Sequence, residues 1–214
     1  MEGGILQPLA SPSLKSVFVE ALKNVPSSKD ESESYYEFLK NYYKDSDDGL
    51  ENSIEDRVKI LGAGSDHAPF AYYAGVPALY YFFTIDKKKY PGYSGKYPTY
   101  HTGYETFYLM DKLLDPGFKL HKTCSQLSIH MLLQLAESAI LPLQPEEIVR
   151  EVEKALGKME KNNVTKTLVD NGAGTAYTSM KQSFQKFKLS VNGWAEKKVT
   201  LENSYEITDF PRYY

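Results

Sequence analysis

A single cysteine, Cys124, stands in the 214 residues. That excludes an internal disulfide and any zinc site built from thiolates, and leaves the redox compartment open. Positive charge is not in excess either: 25 basic residues face 28 acidic ones, a net of −3 spread along the chain. The electrostatic footprint of a nucleic-acid binder is missing, so no nucleic-acid partner is expected. No run approaches the roughly 18 consecutive apolar residues of a membrane span. Met1-Glu2-Gly3-Gly4 opens nothing like a basic-then-apolar signal peptide, so the expectation is a soluble chain with no membrane segment. Repeats and low-complexity tracts are absent. The four histidines (His67, His101, His121, His130) form neither HxxxH nor HExxH, so no local zinc motif exists.

What is plentiful is aromatic. Eighteen Tyr and ten Phe, within a hydrophobic content of 42%, supply one sizeable core and exclude disorder. Leu14, Val17, Phe18, Ala21 and Leu22 recur at helical spacing behind Ser11-Pro12, predicting a helix over 11–24. A short aromatic helix from Tyr35 to Tyr43 and an acidic loop from Asp45 to Asp56 follow. Two apolar runs, Val58 to Leu61 and Val76 to Phe83, flank Gly62-Ala63-Gly64-Ser65-Asp66 and a helical stretch from His67 to Ala74. Strand, glycine turn, helix and strand is the rhythm of a parallel βαβ unit, and the second run, apolar without alternation, suits a strand covered on both faces. The segment from Lys87 to Thr99 reads as a long loop.

Asp115-Pro116-Gly117 introduces a helix to about Leu141, whose wide apolar surface (Leu120, Cys124, Leu127, Met131, Leu135, with Leu132, Ala136 and Ala139 beside them) demands burial. On it Cys124 reads as a small buried hydrophobe rather than a nucleophile, and His121 and His130 as structural or solvent-facing. Pro145-Glu146-Glu147 starts another helix through Lys161, a polar break runs from Asn162 to Gly174, and a weaker helix spans Tyr177 to Leu189. The last 25 residues, 190–214, show no clear periodicity. The fold class is therefore α/β.

Two stretches could carry chemistry. Gly62 to Asp66 sits at the carboxyl end of a predicted strand, where open α/β sheets place ligands, yet its spacing alone favours a tight turn with Ser65 or Asp66 capping the next helix. Gly-x-Gly without a third glycine or a following Gly-Lys is no phosphate fingerprint. Tyr97-Pro98-Thr99-Tyr100-His101-Thr102-Gly103-Tyr104-Glu105-Thr106 puts an imidazole in a polar, turn-rich loop beside a tyrosine able to donate to a developing oxyanion. From the residues alone, a lone loop histidine is more often an ordinary surface residue.

These two motifs, with Gly75-Val76-Pro77, Asp115-Pro116-Gly117-Phe118 and Ile140-Leu141-Pro142-Leu143, resemble the zinc-dependent exopeptidases of the glutamate carboxypeptidase family, also called N-acetylated alpha-linked acidic dipeptidases, over residues 1 to about 188. The resemblance implies part of a zinc-exopeptidase sheet with covering helices over 1–143. After it would come the start of a transferrin receptor-like helical dimerisation domain over 144–189, and an irregular tail over 190–214.

In that family two zinc ions share the water that attacks a small peptide substrate. The resemblance makes His101 a zinc ligand, puts Tyr100 near the scissile carbonyl, lets Gly64 and Ser65 line the substrate cleft and gives Asp66 a supporting role. The other metal ligands and the general base are expected upstream of residue 1, leaving the chain inactive alone; no catalytic residue is assigned. An ungapped reading sets Tyr80 and Phe82 where acid-specific members carry arginines, so an acidic substrate is not expected.

The parent is expected to be a homodimer at the plasma membrane, facing outward, and Asn163-Val164-Thr165 is a glycosylation acceptor pattern that fits. The alternative is a non-catalytic, transferrin receptor-like dimeric interaction module. A sheet without its neighbours would also expose an edge and the apolar face of helix 117–141.

Overall fold

The computed structural model describes residues 4–44, 53–92 and 99–205. Most of the acidic loop (45–52), nearly half of the 87–99 loop (93–98, with Tyr97 and Pro98) and the end of the tail (206–214) lie outside the described residues. The chain divides into two compact units, Met1–Ser138 and Ala139–Tyr214.

The first unit is built on a small mixed sheet of order β2-β1-β3, with β1 Ile5–Ala10, β2 Lys59–Ile60 and β3 Leu79–Thr84. β1 runs parallel to β2 and antiparallel to β3, so the two strands expected as a parallel βαβ pair lie on opposite sides of β1 and run in opposite directions. The central strand is one that the apolar pattern passes over. Pro8 interrupts it, yet the ladder tolerates this proline. Ser11 donates its backbone N–H to Ala78 O at 2.8 Å, which by strand alternation aims the nitrogen of residue 8 away from β3. On that other side β2 pairs only with Leu9 and Ala10.

Register sets the two faces. Leu6, Pro8 and Ala10 share a face with their partners Phe83, Tyr81 and Leu79, and this face is covered by helices. They are α1 (Lys15–Asn24, after a 3-10 turn at Pro12–Leu14), α2 (Tyr35–Tyr43) and α4 (Lys119–Glu137). Phe18 of α1 meets Tyr81 at 5.4 Å between ring centroids, and Tyr35 of α2 meets Phe83 at 6.1 Å. The Tyr81 hydroxyl also bonds Ser128 and the carbonyl of Cys124 on α4. Val17, Phe18, Ala21 and Leu22 pack fully buried with Leu127 and Met131, which makes this layer the core.

Gly4 is needed as glycine: it holds φ +70°, and a Cβ there would lie 2.8 Å from Leu120. The buried Tyr35 hydroxyl donates to its carbonyl at 2.6 Å. α3 (Ile54–Arg57) is a single turn that leads into β2.

β3 is therefore covered on one face, not two. Ile5, Gln7, Leu9, Tyr80, Phe82 and Thr84 alternate onto the other, which is closed at its Ile5 end, where Ile5 is buried, and open at Phe82, 42% exposed. α4 likewise buries a narrower stripe than its composition suggests: Thr123, Leu127 and Met131 are covered, while Ile129, Leu132 and Leu133 face outward. Cys124 is half-buried.

Among the described residues the second unit holds three helices, α5 (Glu146–Lys161), α6 (Val164–Asp170) and α7 (Gly174–Tyr205). α5 starts at the predicted Pro-Glu-Glu. α6 lies in what reads as a polar break, and α7 runs well beyond the predicted end at Leu189, through residues that show no periodicity. α5 and α7 are antiparallel, joined by ion pairs between Glu160 and Lys181 at 3.4 Å and between Glu153 and Lys188, with Val149 and Val191 buried. Among the described residues no helix is long and apolar enough to cross a membrane.

Candidate functional site

β2 ends at Ile60 and the chain enters Gly62–Asp66. The following segment is a π-helical turn, Pro69–Tyr73, rather than a regular helix, and neither Ser65 nor Asp66 caps it with a side chain; Ser65 instead accepts the Ala68 N–H on its backbone carbonyl at 3.0 Å. Two side chains brace the glycine turn from behind. The Tyr72 hydroxyl donates to Leu61 O, and His67 Nε2 donates to Gly62 O. A carbonyl only accepts, so Nε2 carries a proton here, while Nδ1, shielded from solvent, has no hydrogen-bond partner among the described residues.

The His67 ring lies 5.3 Å from Tyr80, which lies 5.4 Å from Phe82, forming a row of rings on the uncovered face of the sheet. Gly64 is exposed with open space where a Cβ would project, so its backbone can be approached closely from outside. The bracing by His67 and Tyr72 is not readable from sequence, because it depends on the turn folding back onto the end of β2.

The Tyr100–His101 pair is an exposed turn. The two rings stack, with centroids 3.8 Å apart and planes 18° from parallel. His101 holds φ +61°, a left-handed conformation that costs a non-glycine residue roughly 1–2 kcal/mol. It is held there by its own N–H donating to the Glu105 carboxylate at 3.1 Å, and the turn is closed by Thr102 N–H to Thr99 O at 3.1 Å. No hydrogen bond or ring contact joins His101 to Gly64, Ser65 or Asp66 among the described residues.

The remaining histidines serve structure. His121 Nδ1 pairs with Asp115 at 2.7 Å and His130 Nδ1 with the Gln134 amide at 2.7 Å. Asn163, also left-handed at φ +56°, stands exposed where α5 turns into α6.

Zinc needs several converging donors. Among the described residues no three His, Cys, Asp or Glu side chains gather as a metal site, so the donors present do not by themselves fit such an ion.

No family model matches the chain. Individual proteins do. The mouse aminopeptidase NAALADL1 is 31% identical over 170 residues, covering 75% of this chain and 22% of the mouse protein. A glutamate carboxypeptidase 2 homolog of Caenorhabditis elegans is 33% identical over 138 residues, covering 62% and 17%. A probable glutamate carboxypeptidase of Arabidopsis thaliana, LAMP1, is 30% identical over 112 residues, covering 52% and 15%. The chain thus spans about a fifth of the length of the curated relatives it matches. The mouse relative is named an aminopeptidase and the nematode and plant relatives glutamate carboxypeptidases, and the chain belongs to the glutamate carboxypeptidase-like family.

Proposed function

We propose that the chain contributes the carboxyl-terminal part of a zinc-dependent exopeptidase of carboxypeptidase or dipeptidase type, acting on small peptides. His101 is one metal ligand of that enzyme, Tyr100 donates a hydrogen bond near the scissile carbonyl, Gly64 and Ser65 line the cleft, and Asp66 supports the turn. The zinc ions supply the activated water when bound; the donors needed beside His101 are ones the described residues do not provide.

The observation that carries this reading is the Tyr100–His101 turn. A histidine is kept in a strained conformation on an exposed loop, its ring stacked and its backbone tied to Glu105, where glycine would sit without strain. The uncovered aromatic face of the sheet and the outward apolar residues of α4 support it as surfaces that a longer protein covers. In the same reading residues 144–189 begin a dimerisation domain, the parent lies at the outer side of the plasma membrane, and Asn163 is glycosylated. Tyr80 and Phe82 supply no guanidinium to hold a carboxylate side chain, which favours substrates that are not acidic.

The purified 214-residue chain is expected to release no amino acid from dipeptides. Joined to the region of the mouse aminopeptidase that precedes the matched segment, it is expected to gain zinc-dependent hydrolysis, and His101→Ala to reduce that activity by at least about 10³-fold, since a metal ligand of the reaction is lost. Full activity in the His101→Ala fusion rules the assignment out.

A further inference from the structure

We propose that a cavity between the α1–α2 loop and the first turns of α4 is a binding site for a small phosphate-like oxyanion, remote in sequence from both motifs above. The cavity, of about 120 Å³, is lined on one side by Pro26, Ser27, Ser28, Lys29 and Glu31, and on the other by four residues of α4. Those four, Lys119, Lys122, Thr123 and Gln126, fall at i, i+3, i+4 and i+7 and so share one helix face.

The charge count is what points to a ligand. Three lysines line the cavity, on a chain that is negative overall, against one lining carboxylate. Glu31 takes Lys122 at 2.7 Å. Lys29 and Lys119 form no ion pair among the described residues, although Lys119 is close enough to be felt by Glu31. Two lysines without an ion-pair partner among the described residues, beside a third shared with one carboxylate, around one small concavity match the charge-assisted donors that a tetrahedral oxyanion accepts.

The walls are preformed. Ser27 Oγ accepts the Lys29 N–H at 3.1 Å, Asp30 accepts both the Ser32 N–H and hydroxyl, and Ser27 N–H reaches Glu33 O at 2.9 Å, so the loop is fixed before any ligand arrives. Binding then costs little ordering.

The test is calorimetric titration of the 214-residue chain with inorganic phosphate, at fixed ionic strength with chloride as the balancing anion. Saturable one-to-one binding in the millimolar range is expected. Lys29→Ala with Lys119→Ala weakens it about tenfold, because both cations act at short range in a partly enclosed site. Glu31→Gln tightens it about threefold by releasing Lys122. Lys181→Ala with Lys188→Ala, an equal loss of charge on the second unit, leaves it unchanged.

Lys29, Glu31, Lys119 and Lys181 are exposed and Lys188 is half-buried, and a cooperative melt confirms that each variant folds. Glycerol 3-phosphate is titrated alongside: equal affinity assigns the pocket to a phosphomonoester group, and tighter inorganic phosphate to the free ion. Absence of saturation, an affinity insensitive to loss of Lys29 and Lys119, no tightening in Glu31→Gln, or equal weakening in the Lys181/Lys188 control each overturns the proposal.

Discussion

Asp115 is the residue on which the start of α4 depends. Its carboxylate accepts the backbone N–H groups of Leu120 and His121, both at 3.0 Å, and the His121 ring at 2.7 Å. Burial works against its charge, but the hydrogen bonds from Leu120 and His121 together outweigh it and hold the carboxyl below its ordinary value of 3.8. A carboxyl depressed in the folded state stabilises fully above that ordinary value, and the contribution is lost as pH falls through the lowered one.

Asp115→Ala should therefore cost about 1–2 kcal/mol at neutral pH, the usual worth of a helix-capping side chain, with the deficit shrinking below pH 4. Thermal unfolding against pH in the two proteins checks this. Asp115-Pro116-Gly117 was legible as a helix opener because caps are local chemistry. The bracing of Leu61 and Gly62 by Tyr72 and His67 was not, because those partners meet only after the chain doubles back.

At the scale of elements, the two faces of the sheet make opposite predictions. Phe18 is buried against Tyr81, so Phe18→Ala should lose about 3–5 kcal/mol through transfer and cavity terms. Phe82 on the uncovered face is 42% exposed, and Phe82→Ser should change stability by roughly 1 kcal/mol or less. Urea denaturation of both separates a one-sided sheet from a two-sided one.

Helices α1, α2, α4 and α5 could be read because their apolar residues repeat at 3.6 spacing behind recognisable starts. β1 escaped because Pro8 disguises a strand whose ladder has no use for that N–H. The far half of α7 escaped because Asn192 and Gly193 interrupt it and its apolar residues do not line one face. Gly193 sits within that helix with open space around its missing Cβ, so Gly193→Ala should raise stability by about 0.5–1 kcal/mol, read as a higher melting temperature by circular dichroism.

At the scale of the whole molecule, both compact units keep large apolar side chains outside. Phe70, Tyr73, Phe107 and Leu132 are exposed in the first unit, and Phe187, Leu189 and Val199 in the second. Scattered singly such residues are ordinary, but Tyr80, Phe82 and their neighbours form a contiguous face. The isolated chain is expected to bind the dye ANS in native buffer and to self-associate as concentration rises; a dye-silent monomer across the range would show these faces to be self-sufficient.

The sequence pattern identified which residues are apolar but not which faces meet, since that depends on strand order and register. The seam between sheet and helix also holds a practical opportunity. Because position 124 carries the only thiol, half-open on α4 where Tyr81 crosses over, a maleimide fluorophore will attach once per molecule at that joint. Its brightness then reports the parting of the two layers in real time, with no engineered labelling site.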